Sequence, residues 1–208
     1  MFKFEEVIES ESQFREIMGE PGPRVLAKSI YRLDAHSRAF IAKCPLLMLA
    51  SASVAGEITV SPKGDPNGFV QILDNHTLLI PERLGNQRAE TFKNVLSNPR
   101  VGLIFIIPGK GETLRISGHA RIVRDEKLRN GFAIKGKMPD FLLAIHVGEV
   151  YFHCGKAMVR SRVWKQEQWV DTSDLASLGQ IMVEAGRLSE STAEMQKIVD
   201  DDERDRLY

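Results

Sequence analysis

Six apolar, strand-like segments with no regular strand–helix alternation predict a mainly β fold, a small antiparallel β-barrel with flanking helices. Two of these segments carry most of the weight. Thr113–Val123 alternates, with Leu114, Ile116, Ala120 and Ile122 on one face and Thr113, Arg115, Ser117, His119 and Arg121 on the other. Val101–Ile107 is rich in β-branched residues and stops at Pro108-Gly109.

The elements follow in chain order. Residues 10–18 have helical spacing at Phe14, Ile17 and Met18, and Pro21-Gly22-Pro23 ends the run. Asp34 is a good N-cap for a helix carrying Ala35, Ala39 and Phe40 on one side and ending before Pro45. Leu46–Ala50 is a continuous apolar run, expected to be a strand buried on both faces. Gly56 turns the chain into a return strand, Glu57–Val60. Asp74-Asn75 leads into a strand at Thr77–Ile80. Gln87–Leu96 is a helix with Ala89, Phe92, Val95 and Leu96 on one face, stopped by Asn98-Pro99. Gly118 marks a bulge or a close backbone approach inside the long strand. Helices are expected at Glu126–Lys135 and Ala157–Trp164, with the sixth strand, Val147–Cys154, between them. From Asp174 the pattern is helical, and Ser191 and Glu194 have capping-box spacing. The expected organisation is a helical lead-in (1–43), a barrel domain (44–165) and a helical acidic tail (166–208).

With 208 residues the chain suits one domain with appendages, large enough to need no disulfides. Its 28 basic and 28 acidic side chains cancel, which argues against a nucleic-acid partner recognised by overall charge. The densest apolar run is far shorter than the ~20 residues that span a bilayer, so no membrane partner is expected. The carboxylates near the N-terminus do not fit a secretory signal. Cys44 and Cys154 form no CxxC pair and no zinc spacing, so a reducing cytoplasm is the expected location.

Three segments gather polar residues at strand ends. In Thr59–Pro66 a strand is expected to run into a loop where Ser61, Lys63 and backbone N–H groups could surround an anion. The same residues also suit an ordinary solvated loop. In Ile80–Arg88 a helix follows a strand. Asn86 has N-cap character and Arg88 sits in the first turn, where a cation opposes the helix dipole unless an anion is near. Arg88 could equally bond Glu82 or solvent. In His153–Trp164, Lys156, Arg160 and Trp164 are spaced i, i+4, i+8, suiting a flat aromatic anion or a solvated basic face with Trp164 as anchor. His153 and Cys154 alternate across a strand and cannot both chelate, so no metal site is expected; His153 is only an acid–base candidate.

In this order the segments resemble the pyridoxamine-5′-phosphate-oxidase-like, FMN-binding split-barrel flavoproteins, in a branch of uncharacterised FMN-dependent members. The carrying phrases are Val60-Ser61-Pro62-Lys63-Gly64-Asp65, Leu79-Ile80-Pro81 with Gly85-Asn86-Gln87-Arg88, Asn98-Pro99-Arg100-Val101-Gly102-Leu103, Thr113-Leu114-Arg115-Ile116-Ser117-Gly118 and His153-Cys154-Gly155-Lys156-Ala157. The resemblance implies a six-stranded antiparallel split barrel, a homodimer and FMN at the subunit interface. It implies that Val60, Ser61 and Pro62 flank the flavin, that Lys63 reaches the ribityl chain or the phosphate, and that Asn86 and Arg88 meet the phosphate. The phosphate candidates are thus Lys63, Asn86 and Arg88, with Arg83 a weaker addition. Ile80 and Pro81 would border the ribityl chain, and Thr113 would approach the ring from the second subunit. Lys156, Arg160 and Trp164 would close the site.

The family's C-terminal Arg-x-His arrangement is missing from residues 165–208. The activity implied is therefore a general FMN-dependent oxidoreductase, moving electrons between a reduced nicotinamide or similar donor and a small organic substrate. The rival reading is a non-catalytic flavin- or haem-binding stress or storage protein.

Overall fold

The computed structural model describes residues 2–208. Three helices come first: α1 (Glu11–Met18), α2 (Pro23–Leu26) and α3 (Ala35–Ile41). Strands β1 (Leu46–Ala52), β2 (Ile58–Gly64), β3 (Gln71–Ile72) and β4 (Thr77–Pro81) follow, then helix α4 (Glu90–Ser97). Next are β5 (Arg100–Ile106), β6 (Thr113–Val123), the short α5 (Glu126–Asn130) and β7 (Leu142–His153). Helices α6 (Lys156–Ser161), α7 (Leu178–Gly186) and α8 (Thr192–Asp205) complete the order.

The strands form one antiparallel sheet in the order β2-β1-β5-β6-β7-β4-β3. This is the expected barrel with flanking helices, carrying seven strands where the sequence pattern predicts six. The additional strand, β3, has only two residues, too few to show a period. The sheet wraps one core in which Leu47, Leu49, Leu78, Ile80, Leu103, Phe105, Leu114, Ile116 and Ile145 are almost fully buried. Phe40 and Ile41 of α3 and Val95 of α4 cover that core. Period-two alternation sends Leu79 to the other side of the sheet, where it packs with Phe132 and Leu142.

Local chemistry explains several differences from the expected elements. β1 is buried on one face only; Leu47, Leu49 and Ser51 point inward while Leu46, Met48, Ala50 and Ala52 remain half-buried. In α3 the buried side is Ser37, Phe40 and Ile41, and Ala35 and Ala39 face solvent. The expected helix at Glu126–Lys135 is a single turn closed by Gly131. The register of β6 against β7 shifts at Ser117/Gly118, so the expected bulge is present.

Asp34 caps α3. Its carboxylate accepts from Ser37 N–H (2.7 Å), and the Ser37 hydroxyl accepts from Asp34 N–H (2.8 Å). Removing the carboxylate in Asp34→Ala should cost about 1 kcal/mol, read from urea unfolding. The Ser37 N–H bond holds the Asp34 carboxyl below its ordinary value of 3.8. Its contribution is therefore complete above that value and is lost as pH falls through the lower native one. The gap between wild type and Asp34→Ala should close under strong acid.

Candidate functional site

The site grows from β2. It is an edge strand, so Pro62 can sit within it without removing a needed ladder bond. The expected loop at Ser61–Gly64 is thus strand, paired with Leu46–Leu49 of β1. Alternation leaves Ile58, Val60 and Pro62 exposed on one side and turns Thr59, Ser61 and Lys63 to the half-buried other side.

A polar cluster that sequence patterning missed fixes α4 over this strand. Asn94 Nδ2 donates to Ser51 Oγ (3.1 Å) and to Thr59 Oγ1 (3.2 Å), and the two hydroxyls lie 3.1 Å apart. Asn94 and Ser51 are buried, so each partner removes a desolvation cost. Nothing in the local sequence marks these residues, because they meet only in the folded chain.

The helix begins at Glu90 rather than Gln87. Gln87 (φ 60°) and Ala89 (φ 53°) are left-handed, which stops the helix extending towards Asn86. Asn86 is consequently not the N-cap. Its Oδ1 instead accepts from Arg88 N–H at 3.1 Å. No side chain caps α4, so the N–H groups of its first turn lack side-chain acceptors.

Val60, Ser61, Pro62, Lys63, Asn86 and Arg88 line one cavity of about 190 Å³, together with Thr59, Glu82 and Glu90 at this helix start. Each cation there is held by a carboxylate. Lys63 Nζ lies 2.5 Å from Glu82 Oε2, and Arg88 Nε donates to Glu90 Oε1 at 3.0 Å.

Arg83 points elsewhere. Its Nε is 2.6 Å from Asp65 Oδ2, and its Nη1 donates to Phe132 O at 3.0 Å. It lines a second, larger cleft of about 1140 Å³ that shares Glu82, Asn86, Ala89 and Phe92 with the first. Ile80 and Pro81 line neither cavity. Both are buried in β4, and the Ile80 side chain belongs to the core.

The remaining residues gather by the β5–β6 hairpin. Thr113 is buried and pairs across the sheet with His153, which is exposed. Lys156 and Arg160 lie on α6, both exposed. Arg162 (φ 53°) ends that helix, so Trp164 is not on its face as the i, i+8 spacing predicts. Its indole donates to Lys110 O at 2.9 Å. None of these residues lines the two cavities described above. Among the described residues no three His, Cys, Asp or Glu side chains are placed to hold a metal ion. Cys44 is buried with its thiol against Leu46 O and Ile106 O, and burial pushes that thiol up from its ordinary pKa; Cys154 is exposed and also unpaired. No described helix is long and apolar enough to cross a membrane.

Among solved structures, that of Group A Streptococcus HupZ is 20% identical (TM-score 0.46), covering 58% of this chain and 93% of its own. A putative pyridoxamine 5′-phosphate oxidase from Lactobacillus delbrueckii is 20% identical (TM-score 0.45), with 59% and 99% covered. An FMN-binding protein from Syntrophomonas wolfei is 11% identical (TM-score 0.46), with 68% and 92% covered. No curated protein matches the sequence. A family model described as pyridoxamine 5′-phosphate oxidase matches residues 33–154, which run from the lead into α3 to the end of β7. That span is more than half of the chain and holds every strand of the barrel and the small cavity at α4, so the protein belongs to the pyridoxamine 5′-phosphate oxidase family.

Proposed function

We infer that the protein is an FMN-dependent oxidoreductase working between a reduced nicotinamide or similar donor and a small organic substrate. The observation that carries this is the small polar cavity at the uncapped start of α4. It is below the ~300–1,000 Å³ of a whole-ligand pocket and suits a phosphate group. Ser61, Asn86, Lys63, Arg88 and the free first-turn N–H groups make a donor set for a dianion. The two carboxylates now holding the cations are the groups a phosphate would displace. Arg88 is the easier to release, because its side chain is 72% exposed.

FMN, when bound, supplies the electron-transfer chemistry at its ring. The chain supplies binding and orientation. Lys63 and Arg88 neutralise the phosphate, while the exposed face of β2 at Ile58, Val60 and Pro62 gives a flat apolar surface for a ring. A homodimer is part of the proposal. In a single chain, Thr113, Lys156, Arg160 and Trp164 stand apart from the cavity, so they would serve a site only from a second subunit. Two unpaired cysteines support a reducing cytoplasm as its compartment.

Arg88→Ala should cost about 1.5–3 kcal/mol of FMN affinity, the scale of a hydrogen bond to a charged group. Thermal stability should be unchanged, since the side chain is exposed. Equal affinity in a fluorescence titration contradicts the assignment. The activity itself is tested by the absorbance spectrum of the purified protein and by oxidation of reduced nicotinamide after addition of FMN. Flavin bands with turnover support the proposal. Flavin without turnover, or a Soret band, supports the storage reading instead, and failure to take up FMN overturns both flavin readings.

A further inference from the structure

The larger cleft already contains an aromatic group from this chain. The segment that leaves α8 brings Tyr208 into it. The Tyr208 ring lies 5.4 Å from the Arg83 guanidinium and 5.9 Å from Lys135 Nζ. Its phenol lies near the Asp65 carboxylate, a side chain only 2% exposed, and desolvation together with that negative charge pushes the phenol up from its ordinary pKa. Its carbonyl oxygen accepts from Lys137 Nζ at 2.7 Å.

These contacts come from separate parts of the fold. Asp65 follows β2, and Arg83 follows β4. Lys135 and Lys137 come from a tight turn in which Lys135 (φ 50°) and Gly136 (φ 77°) are both left-handed and Ile134 pairs with Lys137. The turn sets a lysine at the ring and another at the carbonyl oxygen. Helices α7 and α8 pack chiefly on each other, and the Lys137–Tyr208 bond ties the end of this hairpin to the turn beside the cleft.

We propose that this cleft is a binding site for a hydroxyaryl carboxylate and that Tyr208 occupies it as an intramolecular competitor. The ligand's hydroxyl would meet Asp65, its ring would lie against Arg83 and Lys135, and its carboxylate would meet Lys137. The orientation is fixed by charge, because the Asp65 carboxylate repels an anion at the inner end. The inference does not depend on the flavin reading.

The test is calorimetric titration with 3-(4-hydroxyphenyl)propanoate, which reproduces the tyrosine side chain and carbonyl. It uses the full chain, Tyr208→Ala and Tyr208→Phe, each checked by thermal melting. A segment docked about 90% of the time weakens the apparent affinity about tenfold. Tyr208→Ala should therefore bind the probe about tenfold more tightly than wild type. Tyr208→Phe keeps the ring in place and should show a smaller gain, which serves as the test if alanine loosens the fold. Adding Lys137→Met to either variant should reverse the gain, and 3-phenylpropanoate should bind more weakly than the probe. Equal affinity of wild type and folded variants, or no binding by a folded variant at millimolar probe, overturns the proposal.

Discussion

Gly118→Ala is expected to lower stability by about 3 kcal/mol or more, a large share of the ~5–15 kcal/mol that holds a domain folded. An alanine Cβ at this position would lie 2.2 Å from His146 O, 3.1 Å from His146 C and 3.3 Å from Gly148 N. All three atoms are backbone of β7, so no rotamer change can relieve the clash. β6 and β7 would have to separate at the bulge and lose ladder bonds on both sides of it. At a strand glycine with open space the sign reverses, and alanine usually stabilises by about 0.4–1 kcal/mol through the unfolded chain. Gly102 in β5 is such a position, since an alanine Cβ there would have no neighbour within 4 Å. Urea unfolding of both variants should show a lower midpoint for Gly118→Ala and a level or higher one for Gly102→Ala, each with the wild-type slope.

Asp65→Ala is expected to cost about 3–5 kcal/mol, because it leaves the Arg83 guanidinium largely buried without its counter-charge. The Arg83 side chain is only 16% exposed, so water can replace little of what the carboxylate supplies. One bond to Phe132 O would remain. The double variant Asp65→Ala/Arg83→Met should recover most of the loss, because it removes the stranded charge as well. A double variant no more stable than the single one would show that Asp65 acts by another route. The same pair keeps Arg83 out of the small cavity, which is why Lys63, Asn86 and Arg88 carry the proposed phosphate site.

The barrel was legible because its strands carry period-two or β-branched patterns that survive in a single sequence, as in Val101–Ile107 and Thr113–Val123. The errors have local causes. Asn86 after Gly85 looks like a helix cap, yet Gln87 and Ala89 turn left-handed and the helix starts later. Pro62 looks like a strand stop, yet an edge strand tolerates it. Trp164 continues a helical spacing on paper, but Arg162 ends the helix first. The small cavity was readable in part because its residues fall in two short segments beside strand ends. The Asn94–Ser51–Thr59 cluster and the seat of Tyr208 against Asp65 and Lys137 depend on contacts between distant parts of the chain, which no local pattern records.

The central claim is that α4 and β2 bind FMN through its phosphate. The most direct test is to titrate the purified chain with FMN and with riboflavin, which has the same ring and lacks the phosphate, following quenching of flavin fluorescence. The expected result is saturable binding of FMN and riboflavin binding weaker by about 100-fold or more, since the charge-assisted bonds of Lys63, Arg88 and the α4 N-terminus have no partner without the phosphate. Equal binding of the two flavins, or no binding of FMN, would contradict it.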